Sequence, residues 1–322
     1  MIRKIKSAYF PEDLSAVCLG CARFGGEYSE EYSFELLDLY YALGGRFLDT
    51  ANVYGRWSES GRNMSEITIG RWIASRGITD MVVQSKCCHY LPEAPHMSRV
   101  DRKSAWEDLE DSRKALGLDT IPIYLTHRDN RNVDIREIVD FLADMVTKGR
   151  IKRFGLSNYS ADRVEAALDY LGNTCCDYFA GVSNEWSLAL ENAGKYDAPD
   201  GMKATDASLW KLHTEKGLPL LPFSASAKGF YAKLKSQGER AVRSDWMNDR
   251  QRYVLRELEK ISEETGAGVN AISVAYLLTA GITAVPIVAV STPDQLREFE
   301  KISELSERLS GRLTNLSLFN QK

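Results

Sequence analysis

Asp49, Tyr54, Lys86 and His127 form a set of side chains suited to moving a proton. They occur in Phe47-Leu48-Asp49-Thr50-Ala51-Asn52-Val53-Tyr54-Gly55, in Val83-Gln84-Ser85-Lys86 and in Tyr124-Leu125-Thr126-His127-Arg128. A phenol beside a buried ammonium, itself held by a carboxylate, is expected to ionise more readily than free tyrosine, because the cation favours the phenolate. Such a tyrosine suits a general acid for carbonyl chemistry. Singly, each residue has a plainer reading: a turn or cap aspartate, a packing tyrosine, a surface lysine, a satisfied histidine. Their shared position, just after three successive apolar runs, argues for a joint role.

Short β-rich runs recur at Ala16–Leu19, Arg46–Leu48, Met81–Gln84, Ile121–Leu125, Ile151–Gly155, Tyr178–Val182, Leu220–Phe223 and Ala284–Ile287, with helical patterns between them. The clearest helix is 135–148, where Ile135, Ile138, Val139, Leu142, Met145 and Val146 line one face, Asp134 caps the start and Gly149 ends it. A second follows Ser160 and stops at Gly172, and further helices end at Gly44, Gly77, Gly117 and Gly266. Alternation of strand and helix predicts a (β/α)8 TIM barrel in a single domain over 1–322. A doubly wound sheet is the alternative, but no strand is followed by Gly-x-Gly-x-x-Gly entering a helix. Residues 188–208 and 231–250 read as long loops, expected over the catalytic face.

The 322 residues are 44% apolar and 27% charged with net charge −4, an ordinary globular composition that offers neither a nucleic-acid patch nor an anionic-membrane surface. Met1–Phe10 lacks a signal-peptide core, which predicts a cytoplasmic protein. The uncharged stretch 269–290 is interrupted by Asn270, Ser273, Gly281 and Pro286, and reads as a buried helix, a turn and a strand rather than a membrane span. Cys18, Cys21, Cys87, Cys88, Cys175 and Cys176 have neither disulfide-framework nor metal-ligand spacing, and read as reduced core thiols.

The chain resembles the aldo-keto reductase family through motifs in the same order. They are the 47–55 segment, Ser65-Glu66-Ile67-x-Ile69-Gly70, Ser85-Lys86, Leu125-x-His127-Arg128, Gly155-Leu156-Ser157-Asn158-Tyr159, Asn184-Glu185-Trp186-Ser187-Leu188, and Pro286-Ile287 followed by Thr292-Pro293-Asp294-Gln295-Leu296. The resemblance implies an NAD(P)(H)-dependent oxidoreductase. A hydride passes between nicotinamide and a substrate carbonyl or alcohol, with Tyr54 as general acid/base. Lys86 and Asp49 would tune the phenol, His127 would orient the carbonyl oxygen, and no metal would be needed.

By the same resemblance, Cys21, Asp49, Ser157, Asn158, Ser183, Phe223, Ser224, Ser226, Gly229, Ala289, Ser291, Gln295 and Glu298 lie along the cofactor. Ser157 and Asn158 would hold the carboxamide, and Phe223 would stack on the nicotinamide. Thr292, Pro293 and Gln295 also read as a helix start, whose N-terminus favours phosphate. Several positions depart from the family pattern: Ser183 replaces Gln, Ala289 replaces Gly and Phe299 replaces Asn. Ser291 replaces the Arg or Lys that pairs with the 2′-phosphate of NADP, and so removes a charge-assisted contact. Lys228 or Arg297 are candidates to compensate. NADP(H) is the expected cofactor and NAD(H) the alternative.

Trp57, Tyr90, Trp186, Phe230 and Tyr231 are candidate substrate walls, with His89 and His96 adding polar groups. Small organic or sugar-like carbonyl compounds fit such a mouth. Two rivals remain: a nicotinamide-binding barrel that senses redox state with little turnover, and a lyase using Lys86 as a Schiff-base amine.

Overall fold

The computed structural model describes residues 1–194 and 201–319. Strands β1 (Lys4–Ile5) and β2 (Leu14–Ser15) form an antiparallel hairpin. Then come β3 (Cys18–Gly20), β4 (Phe47–Asp49), β5 (Val82–Cys87), β6 (Ile121–Thr126), β7 (Ile151–Ser157), β8 (Phe179–Ser183) and β9 (Ile287–Val288). These seven are parallel neighbours in the order β8-β7-β6-β5-β4-β3-β9.

Leu220 closes the ring. It bridges Val182 of β8 on one side and Ala284 on the other. Leu221 N–H donates to the Val182 carbonyl at 2.8 Å, and Val285 N–H donates to the Leu220 carbonyl at 2.9 Å. The run 220–223 is therefore in the barrel as expected, but as a bridge rather than a full strand. Pro219 precedes it and Pro222 lies within it, and neither has an N–H to give a ladder. The fold is a (β/α)8 barrel.

Alternation along the strands builds two apolar layers. Cys18, Phe47, Val82, Ile123, Leu125, Ala180, Leu221, Val285 and Ile287 face the interior, where Phe10 and Leu14 close the end carrying the hairpin. Their neighbours Leu19, Leu48, Val83, Tyr124, Phe154 and Val182 pack outward against the helices.

The helix Ile135–Thr147 buries Ile135, Ile138, Val139, Leu142 and Met145, and Asp134 accepts the Arg136 N–H at its start. Each such aliphatic side chain contributes roughly 1.5–3 kcal/mol by leaving water. Helices Met64–Arg76, Arg102–Leu116 and Asp249–Thr265 each end on a left-handed glycine: Gly77, Gly117 and Gly266. The expected helix from 269 spans Val269–Leu277; of the strand expected at 284–287, Ala284 forms a single bridge to Leu220 and β9 covers Ile287–Val288. No helix among the described residues is long and apolar enough to cross a membrane.

The segments 188–208 and 231–250 are more ordered than loops. They contain helix Leu188–Ala193, the start of helix Ala207–Lys216, most of helix Phe230–Gln237 and two short 3-10 turns. Residues 195–200, with Pro199, lie outside the described residues.

Candidate active site

Asp49 ends β4, Lys86 lies one residue before the end of β5, and His127 follows β6. The parallel register pairs Asp49 with Gln84 and Lys86 with Leu125, so three adjacent strands deliver these side chains to one mouth. Lys86 Nζ donates to Asp49 Oδ1 at 2.6 Å and to the Thr50 carbonyl at 2.8 Å. An ammonium has three donors, so one is left. Nζ sits 5.0 Å from the centre of the Tyr54 ring, so the ammonium lies beside the phenol. The Tyr54 and His127 rings meet edge-on at 5.6 Å.

Tyr54 reaches this position through a tight turn. Gly55 has φ +91°, and a Cβ there would lie 2.7 Å from the Met64 Cβ. A side chain at 55 is excluded both by conformation and by space.

The electrostatics correct one expectation. Burial pushes the Tyr54 phenol above its ordinary range, the Lys86 charge pulls it back, and Asp49 cancels part of that pull. Burial wins, so the phenol is not acidified. Burial also opposes the Lys86 ammonium, but Asp49 and Tyr54 outweigh it and hold Lys86 above the usual lysine range. His127 is pushed well below the histidine range by burial and by neighbouring positive groups, which makes it neutral near pH 7. The arrangement can donate a proton from Tyr54 while keeping a fixed cation beside the oxygen it leaves.

Some supporting residues were given no role in the site from the sequence. Gln84 Nε2 donates to Asp49 Oδ1 at 2.6 Å. Its signal was a polar residue two positions before Lys86, on the same face of β5. Thr50 Oγ1 and Ser65 Oγ lie 2.7 Å apart, and Ser65 donates to the Cys21 carbonyl at 2.7 Å. Glu66 is buried, accepting from Ser85 at 2.5 Å and from Asn63 at 2.8 Å.

At the ends of β7 and β8, Ser157 Oγ donates to the Ser183 carbonyl at 2.8 Å. Asn158 has φ +67°, an uncommon conformation for a non-glycine residue. Its Nδ2 donates to the His127 carbonyl at 2.9 Å and its Oδ1 accepts the Lys203 N–H at 2.9 Å. Ser183 Oγ, by contrast, is buried with no partner. Phe223 and Ser224 are half-buried at the same rim, and Ser224, Ala227 and Lys228 all have left-handed backbone around Ser226 and Gly229.

The helix start at 292 forms as the sequence implies: Thr292 accepts from Gln295 N–H, Pro293 opens the helix Pro293–Arg308, and Gln295 Oε1 accepts the Ser291 N–H at 2.7 Å. Ser291 and Ala289 are exposed. Arg23, from the loop after β3, donates to Ser291 Oγ at 3.3 Å. Tyr28 and Tyr32 clasp the same two loops by donating to the Val290 and Ser291 carbonyls. The guanidinium bonded to Ser291 is thus that of Arg23, while Arg297 pairs with Asp294. Glu298 accepts the Gly268 N–H and pairs with Lys301, while Phe299 is core. Cys21 is fully buried under Asp49.

The aromatic candidates divide. Trp57, 56% exposed, meets His89 edge-on at 5.7 Å. Tyr90 packs on His89 at 4.1 Å, and His89 lies 4.7 Å from His127. Trp186, Phe230 and Tyr231 do not line the mouth. Trp186 is 0% exposed, packs on Trp210 and Tyr276, and donates to Glu191. Phe230 packs on Trp246, and the Tyr231 hydroxyl donates to Gln251 at 2.6 Å. Large rings bury more area in the helical layer than they could at a rim. His96 is exposed.

Residues 16–314 match the model of the aldo/keto reductase family. The chain belongs to the aldo/keto reductase family. As an aldo/keto reductase it is an oxidoreductase acting on carbonyl and alcohol groups. It is 26% identical over 313 residues to a norsolorinic acid reductase of Emericella nidulans, covering 92% of this chain and 76% of that protein. It is also 26% identical over 286 residues to an NADP(+) aryl-alcohol dehydrogenase of Phanerodontia chrysosporium, covering 82% and 69%. Among solved aldo-keto reductases, one from Bacillus halodurans in its holo form matches with TM-score 0.76 at 17% identity, covering 98% of this chain and 97% of that one. A thermostable reductase solved with the inhibitor epalrestat matches with TM-score 0.72 at 24% identity, covering 98% and 100%. These structural likenesses carry the barrel fold.

Proposed function

We propose that the chain is a single barrel domain that interconverts a small carbonyl compound and its alcohol, with Tyr54 exchanging the proton at the substrate oxygen. The observation that carries this reading is the third donor of Lys86, left for Tyr54 after Asp49 and Thr50 take the other two. A phenol that burial keeps protonated is the right form for an acid in the reducing direction. The Lys86 ammonium then stabilises the oxygen anion as the proton departs, without any reorganisation. Asp49, fixed by Gln84, keeps Lys86 charged. Neutral His127 is best protonated on Nε2, since its Nδ1 is buried without a partner, and Nε2–H orients the substrate oxygen.

NADP(H) is the proposed cofactor, supplying or accepting the hydride when bound. The orphan hydroxyl of Ser183 supports this as a partner for the carboxamide, beside Ser157 and Asn158. The rim of Phe223, Ser224, Ser226 and Gly229 would hold the middle of the molecule, and Ala289, Ser291 and Gln295 its nucleotide end. Arg23 supports the 2′-phosphorylated form, because it returns to Ser291 the positive charge that position 291 itself lacks. Trp57 and Tyr90 give the substrate an aromatic wall, in keeping with aryl-alcohol dehydrogenases among the relatives; small organic or sugar-like compounds fit it. Free thiols at all six cysteines agree with a reducing, cytoplasmic setting.

The test is NADPH oxidation with a panel of aldehydes by the native enzyme and by Tyr54→Phe. Native turnover should fall by about 10²–10⁴-fold in the variant with NADPH binding retained. Undiminished turnover in Tyr54→Phe removes the role given to the phenol. Tight NADPH binding without turnover of any aldehyde favours a redox-sensing barrel, and borohydride trapping of substrate on Lys86 favours a lyase.

A further inference from the structure

Arg128 is an anomaly among the half-buried arginines. Arg46, Arg56, Arg99, Arg113 and Arg163 each meet a carboxylate: Asp80, Asp111, Asp108, Glu110 and Asp129. Arg128 forms no ion pair among the described residues. Its Nε and Nη1 are buried without any acceptor. Arg153 and Arg250 also lack a carboxylate, but Arg153 lies in the first half of β7, at the far end of the barrel from Tyr54, and Arg250 donates to Asn192 Oδ1 and to the Asn315 and Leu316 carbonyls. Arg128 directly follows His127, and its charge acts on Tyr54, His89 and His127.

The one side-chain hydrogen bond of this guanidinium among the described residues is informative. His89 Nδ1 faces the Tyr90 carbonyl at 2.9 Å, so it carries the proton. Nε2 is then a lone pair, and Arg128 Nη2 donates to it at 3.2 Å. Burial pushes His89 down to about 4, so the ring stays neutral and neutralises none of the charge. A neutral histidine thus braces the guanidinium, with Trp57 and Tyr90 on the other faces of its ring.

A guanidinium partly out of water without a counter-charge is costly, and a planar carboxylate is its best-matched partner. We propose that Arg128, braced by His89, is a carboxylate-recognition group of the substrate pocket, and that the preferred substrates are aldehydes or ketones that also carry a carboxylate. This deepens the carbonyl-reductase reading above and rests on it. No new bond chemistry is involved. The carboxylate binds through charge-assisted hydrogen bonds to the guanidinium, while the carbonyl meets Tyr54 and His127.

The experiment compares meta- and para-carboxybenzaldehyde with their methyl esters, using NADPH and the full chain. Each ester keeps the ring and aldehyde and removes only the charge. With the acid placed correctly in at least one isomer, kcat/KM should exceed that of its ester by about tenfold or more, the difference carried by KM. The ratio should collapse towards one in Arg128→Gln and largely survive in Arg128→Lys. Equal kcat/KM for acid and ester in the native enzyme overturns the proposal, as does an acid preference that persists in Arg128→Gln.

If Arg128→Gln does not fold, calorimetric binding of benzoate and of benzamide to the native enzyme decides. Tighter benzoate binding that weakens with ionic strength supports the assignment, and equal affinities overturn it. Acid and ester reduced equally well would leave the reductase reading standing without the anion site. Selective benzoate binding with no reduction of any aldehyde would leave the anion site and remove the reductase reading.

Discussion

Lys86 Nζ and Asp49 Oδ1 meet at 2.6 Å with side chains only 2% and 6% exposed. This far from water, Asp49 holds the Lys86 ammonium in its charged form against the cost of burial. Removing one strands the other, which typically costs about 3–5 kcal/mol. Lys86→Met should therefore lower unfolding stability by that order, while Asp49→Asn combined with Lys86→Met recovers part of the loss. Chemical denaturation of the two single variants and the double variant measures the coupling. Strict additivity would show that the pair is not mutually dependent.

Arg23 and Ser291 are expected to set cofactor preference. The guanidinium is partly exposed, at 36%, so solvent screens its contribution. A loss of about 1 kcal/mol, or roughly fivefold in Kd, is expected for NADPH on Arg23→Ala, with NADH affinity nearly unchanged. Fluorescence titration of both nucleotides reads this directly. An equal effect on both would assign Arg23 to a phosphate common to them.

Glu66 should give the protein a distinctive pH dependence. Burial pushes its carboxyl up to about 7 from an ordinary 4.5, against the hydrogen bonds of Ser85, Ser112 and Asn63. The native state keeps this proton to higher pH than the unfolded chain does. The stabilisation is therefore complete below 4.5 and fades as pH rises to about 7. At 1.36 kcal/mol per unit it amounts to roughly 3 kcal/mol. Glu66→Gln keeps a neutral side chain at all pH values, so its stability relative to the native protein should rise by that order between mildly acid and neutral conditions. Urea unfolding at both ends of the window measures the difference, and a constant difference would show that Glu66 is not proton-linked.

Much of this site was legible because strand ends obey simple geometry. Asp49, Lys86 and His127 follow apolar runs, and a closed parallel barrel gathers such positions at one mouth. The cap formed by Thr292, Pro293 and Gln295 was legible for a similar reason, since it depends on only four consecutive residues. What escaped depends on contacts between distant parts of the chain. The phenol of Tyr54 is raised because burial outweighs Lys86, a balance set by packing on all sides. Arg23 reaches Ser291 from 268 positions away. Trp186 and Phe230 fall in the right segments but turn into the helical layer, where their rings find Trp210, Tyr276 and Trp246. Aromatic residues near a mouth do not reveal from sequence which way they face.

The closure at Leu220 has a mechanical consequence. A hoop opens at its thinnest join, and here that join is the short segment Pro219-Leu220-Leu221-Pro222, held by a handful of backbone hydrogen bonds. A segment with so few ladder hydrogen bonds is a place where the cylinder is expected to open locally. Phe223 and Ser224 begin immediately downstream, so any molecule gripped by them while also touching the loop after β9 spans the join and latches it shut.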